Sequence, residues 1–293
     1  MRRLNIFAKG NVDVHDSLHS CRVDGKLAWN GINEVLRRTH PHVTTRLRHE
    51  TLTRFDALLA VDGSVPEVLA GRELSLGNYP LRGQFSAALF EAPADVAILS
   101  ILPDVAAPMV RHRDGGFLFY PADARGWADA DRQWLGSAFA PLGLASVEES
   151  MANLAGIVER IRETRDIPIL VYNMSPVIPG DRTHCYLGLD ETYATRIRRF
   201  NLALIELSQD TGLSIVDVEA VLARNGADAL KLDVMHLQPE GYHLVAEEVV
   251  RILDDLGILE DVGGYDHESK CDHPVERRSR PATTDPCLAR VSD

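Results

Sequence analysis

Two runs of the chain, ADVAILSIL (94–102) and IPILVYN (167–173), are apolar at nearly every position. A strand with one wet face alternates apolar and polar residues, whereas a strand apolar throughout has to be covered on both faces. Three further β-rich runs accompany them: LNIFA (4–8), HVTTRLR (42–48) and LSIVDV (213–218). The segments between carry helical spacing. In SVEESMANLAGIVERIRE, Val147, Met151, Leu154, Val158 and Ile161 draw one apolar stripe, with Ser146 placed as its N-cap. In ETYATRIRRFNLALIELSQDTG the stripe is Ile197, Phe200, Leu204 and Leu207, and Gly212 marks the stop. A closing helix begins at Pro239 and buries Val245, Val249, Ile252 and Leu256. Strands alternating with helices in this way predict right-handed crossovers and a doubly wound parallel α/β sheet. In such sheets ligands bind beyond the carboxyl ends of the strands.

Composition narrows the function. The chain has 293 residues, with 43 acidic against 31 basic side chains and a net charge of −12. That surface argues against nucleic acid or an anionic membrane as a partner and leaves a small molecule as the expected ligand. No run is long and apolar enough to span a bilayer. The opening MRRLNIFAKGN has too short an apolar run for a signal peptide, so a cytoplasmic protein is expected. Cys21, Cys185, Cys271 and Cys287 form no CxxC pair, which suggests neither a zinc cage nor a disulfide framework. No GxGxxG or GxxxxGK[ST] follows a strand, so no nucleotide cofactor is expected. No feature sets an oligomeric state.

Two regions break the repeat. Residues 103 to 145 hold Gly, Pro, Trp and Tyr without one period and are expected to form an insertion, a lid or binding loop whose aromatic residues could wall a site. Residues 262 to 293 are polar and read as a disordered tail, leaving 1–261 as the α/β domain. The CDH of that tail reads as incidental, and no metal is expected.

At the predicted strand ends polar groups collect: Gly10 and Asn11 after the first, Arg48, His49 and Glu50 at the second, Ser100 and Asp104 at the third, Asn173 and Ser175 at the fourth, and Asp217 at the fifth. Further on, Asp233 and His236 stand three apart, just before LQPEGYHLVAEEVV. A carboxylate at that spacing can fix the tautomer of an imidazole and stabilise its protonated form, leaving the other ring nitrogen for a nucleophile.

This block resembles the last sequence block of the SGNH/GDSL hydrolase family, where an Asp-x-x-His pair completes a catalytic triad before a glycine and a closing helix. The resemblance extends to RRFNLALIELSQDTGLSIVDVEAVL and, in strand order, from Leu4 to Leu256. It implies a three-layer αβα fold, flavodoxin-like, with a five-stranded parallel sheet. It also implies a serine hydrolase or acyltransferase acting on an ester, thioester or amide of a small polar molecule. The family's serine lies in a Gly-Asp-Ser-Leu turn after the first strand. Matched by its letters, HDSL (15–18) nominates Ser17, with Cys21 a weaker candidate. Matched by strand length, Gly10 and Asn11 take the places of Gly and Asp, and Val12 that of the serine. The glycine of the family's second block is missing near RLRHETLTR, and its Gly-x-Asn-Asp corresponds to Ile101, Leu102, Pro103 and Asp104. Loss of one oxyanion donor costs about 10²–10³ in rate. Arg48, His49 and Arg54 are the replacement cations, with backbone N–H groups near Asn11. The other expectation is a divergent member with no serine nucleophile. It would bind a ligand or run altered chemistry at His49, Glu50, Asp104, Asp233 and His236.

Overall fold

The computed structural model describes residues 1–51, 53–181 and 191–260. The expected tail, with Cys271 and Cys287, lies outside the described residues, as does Cys185. Ten strands occur among the described residues: β1 Arg2–Lys9, β2 Cys21–Val23, β3 Lys26–Trp29, β4 Val43–Glu50, β5 Val96–Ser100, β6 Met109–His112, β7 Leu118–Phe119, β8 Phe139–Gly143, β9 Ile169–Tyr172 and β10 Ser214–Val216. The five expected strands form one parallel sheet in the order β10-β9-β5-β1-β4.

The apolar runs become the middle of that sheet. Every residue of β5 and of β9 is buried. Their side chains divide between two cores, because successive residues of a strand point to opposite faces. Val96 and Ile98 join Leu4, Ile6, Ala8, Val245 and Val249 on one face. Ala97 and Leu99 join Phe7, Leu154, Val158, Ile197 and Phe200 on the other. The result is helix on sheet on helix, the expected three layers. β4 lies at an edge, and its alternate positions carry Arg46, Arg48 and Glu50, charges that discourage pairing with another chain.

Local signals set the helix ends. Ser146 and Glu149 form a reciprocal capping box before the helix Val147–Arg162. Gly212 closes the helix Tyr193–Thr211 at φ +68°, a left-handed conformation that favours glycine. Pro239 opens the helix Pro239–Asp255, where its missing N–H is no loss.

The insertion is not an open loop. Leu102–Ala106 continues from β5 as a short helix, and β7, β6 and β8 form a three-stranded antiparallel sheet. Phe119, Trp127 and Phe139 pack with Leu69, Leu76 and Phe85 into a third core. Those aromatic side chains therefore stabilise the insertion itself. A second element escaped the sequence reading. β2 and β3 form a hairpin turned by Asp24 and Gly25, both at positive φ, the Asp-Gly signal of a two-residue turn.

Candidate functional site

The strand order reverses between β1 and β5, and their carboxyl ends open on the crevice where ligands bind in doubly wound sheets. β1 leads through Gly10 and Asn11 into α1, Val12–Leu18. Gly10 is fixed by close approach. A Cβ there would lie 2.6 Å from Val14 Cγ2 and 3.4 Å from Ser100 Cβ. The residue that follows the Gly-Asn turn, at the first position of α1, is Val12, and it lines a cleft of about 940 Å³. The structure thus places a hydrocarbon side chain where matching by strand length puts the nucleophile.

Ser17 does not meet the expectation of a nucleophile open to the cleft. It lies in the last turn of α1 with 0% of its surface exposed. Its Oγ is 2.7 Å from the Asp13 carbonyl, 3.2 Å from the Val14 carbonyl and 3.0 Å from the Tyr172 hydroxyl. The Trp29 indole N–H holds the Ser17 carbonyl at 3.0 Å. The cause is helical geometry. Five residues beyond Val12, α1 has turned this side chain onto the sheet, where it bonds back to the carbonyls of the preceding turn. Cys21, the weaker candidate, is also buried, and burial pushes its thiol up, away from a reactive thiolate.

Asp233 and His236 do come together. The imidazole Nδ1 lies 2.8 Å and 3.0 Å from the two carboxylate oxygens, and Asp233 Oδ1 accepts the backbone N–H groups of Met235 and His236, each at 2.8 Å. Desolvation pushes the Asp233 carboxyl up, but the His236 and Met235 N–H groups and the imidazole outweigh it and hold the carboxyl below its ordinary value. The pair faces solvent, with side chains 44% (His236) and 54% (Asp233) exposed. No hydrogen bond joins His236 to Ser17. The loop is anchored beneath by Lys231, whose buried ammonium donates to the Ser175 carbonyl at 2.8 Å. Burial pushes that ammonium down to about 8, with Asp233 opposing. Below the loop lies a cavity of about 30 Å³, lined by Asp13, Lys231 and Val234 among others, with room for a water or two.

Asp104 stands apart from the cleft. Fully buried, its carboxylate accepts from the Phe55 N–H at 3.0 Å and the Ser150 hydroxyl at 2.8 Å, so it pins three segments together. Burial pushes it up to about 7. Arg54 is likewise buried, bonded to Asp56 and to the Gly143 carbonyl at 2.7 Å. Asn173 and Asp217 join the ends of β9 and β10 through a 2.8 Å bond, and Asp217 caps the next helix. Each of these serves the frame.

Asn11, Arg48 and His49 do line the cleft. Asn11 Oδ1 accepts from Tyr79 Oη at 3.2 Å, and His49 Nε2 donates to the Gly10 carbonyl at 3.1 Å. Burial, reinforced by His15, pushes the His49 imidazole down to about 4. Arg48 meets Glu50 at 2.9 Å, and the buried Lys9 meets the same carboxylate at 3.3 Å. Two cleft residues were not legible as site residues. His15, from α1, binds Asp16 at 2.7 Å and packs its ring 5.1 Å from His49. Arg82 arrives from the short helix Leu81–Gln84. The signal for His15 was DVHD one turn into the helix opened by Gly-Asn. Arg82 lies in a stretch without period, and nothing pointed to it. Among the described residues, no three His, Cys, Asp or Glu side chains converge in a metal-holding group. No helix among them is long and apolar enough to cross a membrane.

Neither a protein-family model nor a curated protein matches this sequence. Solved structures match it in fold. A DUF4886 family protein from Bacteroides uniformis is 10% identical, with a TM-score of 0.50 over 86% of this chain and 83% of its own. An acetylxylan esterase from Geobacillus stearothermophilus, a catalytic mutant, is 12% identical, with a TM-score of 0.48 over 85% of this chain and 93% of its own. A member of the lipolytic protein G-D-S-L family from Veillonella parvula is 10% identical, with a TM-score of 0.45 over 85% of this chain and 98% of its own. At these identities the likeness is one of fold alone.

Proposed function

We propose that this chain is a divergent SGNH-fold protein without a serine nucleophile, binding a small polar molecule in the cleft beyond the ends of β1 and β4. One observation carries the reading. Val12 lines the cleft at the first position of α1, whereas Ser17, the serine nominated by its motif, is buried with its hydroxyl committed to the core. A serine hydrolase or acyltransferase needs that oxygen within reach of both His236 and an acyl carbon. The family's oxyanion glycine is missing near RLRHETLTR and its asparagine at Ile101 to Asp104, and Asp104 is committed elsewhere. Volume and lining favour binding, since about 940 Å³ holds a small ligand and Asn11, Arg48 and His49 offer polar contacts. The test is a crystal soaked with a library of small polar molecules. Density between Asn11 and Arg82 supports the reading. Density only around Asp233 and His236 counts against it.

A second reading rests on the geometry of that pair. Its imidazole is oriented through Nδ1, and Nε2 has no hydrogen-bond partner among the described residues, as a general base for water requires. Slow hydrolysis of short nitrophenyl esters that His236→Ala abolishes and Ser17→Ala leaves intact would favour this chemistry. Turnover equal to that of His236→Ala excludes it.

A further inference from the structure

The proposed ligand site has a chemistry of its own. We infer that the cleft takes a small oxyanion, a carboxylate or a tetrahedral anion, and that binding draws a proton onto the imidazole of His49. This rests on the reading of the cleft as the binding site.

Three imidazoles pack together, His15 and His49 on the cleft wall and His19 on the neighbouring pocket. The ring centroids of His15, His19 and His49 are 5.0, 5.1 and 6.1 Å apart. His49 spends its Nε2 on the Gly10 carbonyl, and His15 spends its Nδ1 on Asp16. Each ring keeps its other nitrogen, which donates only when the ring is protonated. On the cleft wall stand Arg48 and Arg82 as cations and Asp16 and Glu50 as carboxylates, with the Tyr79 hydroxyl bonded to Asn11, while Arg46 lines the neighbouring pocket and Lys9 is buried behind Glu50. Asp16 is paired with His15, and Glu50 is shared by Lys9 and Arg48. Arg82 has no ion-pair partner among the described residues. Thr51, also on the cleft wall, has a buried Oγ with no hydrogen-bond partner. On a chain of net charge −12, a cleft that gathers cations and an idle hydroxyl donor is suited to an anion.

The empty state resists protonation. Burial and mutual repulsion hold His19 down and His49 at about 4, so these rings are neutral at neutral pH. A bound anion reverses the balance, because it stabilises the protonated ring. Between the empty value and the higher bound value, binding is then accompanied by proton uptake and tightens as pH falls.

Isothermal titration of the full chain tests this, with sulfate as the tetrahedral probe and acetate as the carboxylate probe, between about pH 6 and pH 8 where both keep their charge. One linked proton gives an affinity that rises roughly tenfold per pH unit on acidification, and a heat that changes with the ionisation enthalpy of the buffer. Arg82→Gln is expected to weaken binding about tenfold at every pH while keeping the slope. His49→Asn is expected to flatten the slope, and His49→Gln serves the same purpose if melting shows the first variant unfolded. Whichever of sulfate and acetate binds with proton uptake names the anion class. Binding independent of pH, or no binding of either anion by folded protein, overturns the inference. In the latter case, soaked density for a neutral molecule in the cleft leaves the broader reading standing, whereas a covalent fluorophosphonate adduct on Ser17 removes both.

Discussion

Ser17 Oγ and Tyr172 Oη lie 3.0 Å apart inside the core, a hydrogen bond that joins α1 to the last residue of β9. Its meaning is structural. Ser17→Ala leaves the Tyr172 hydroxyl buried beside a methyl group, at a cost of about 1–3 kcal/mol. Urea unfolding should show that loss, with ligand binding unchanged in the folded protein. Full stability together with lost function would contradict the assignment.

Gly10 is required by the 2.6 Å that would separate its Cβ from Val14 Cγ2. Gly10→Ala should force α1 away from β5 and cost about 1–3 kcal/mol through overpacking. Because α1 carries Val12 and His15 into the cleft, ligand affinity should fall with stability. Thermal melting and titration on one preparation check both. An unshifted melting temperature would show that α1 moves freely.

Asp104 makes stability depend on pH. Its folded value of about 7 lies above the ordinary carboxylate value, so the native state holds the proton more tightly than the unfolded chain does. Between about pH 4 and pH 7 this group's contribution therefore falls as pH rises, and it is fully lost above pH 7. Asp104→Asn removes the titration and keeps an acceptor and a donor for Phe55 and Ser150. Urea midpoints of the variant should decline less than those of the native protein from pH 5 to pH 8. Parallel declines would place the titrating group elsewhere.

Trp127 is 4% exposed and donates its indole N–H to the Ser75 and Ala122 carbonyls at 2.9 and 3.1 Å. Trp127→Ala should cost about 3–5 kcal/mol, the loss expected of a core aromatic residue. A melting temperature close to that of the native chain would show that the insertion's core contributes little.

The sheet was legible because its signal is repeated. Five β-rich runs, two of them apolar throughout, together with helical stripes closed by signals such as Ser146 and Gly212, leave few arrangements open, and the five strands form the expected parallel sheet. Asp233 and His236 were legible because a three-residue spacing brings two side chains together without help from the rest of the chain. Ser17 was not, because its fate depends on how far α1 turns after Gly10, a geometric quantity that the letters HDSL do not carry. The small sheet of the insertion was not legible for a related reason. Phe119, Trp127 and Phe139 find their partners in Leu69, Leu76 and Phe85, far off in sequence and without a shared period. Arg82 enters the cleft by the same non-local packing.

The absence of a serine nucleophile is tested most directly by the intact mass of the folded protein after incubation with a fluorophosphonate probe. The buried hydroxyl of Ser17 predicts an unchanged mass for the native chain and for His236→Ala alike. An adduct that maps to Ser17 and disappears in His236→Ala would contradict it.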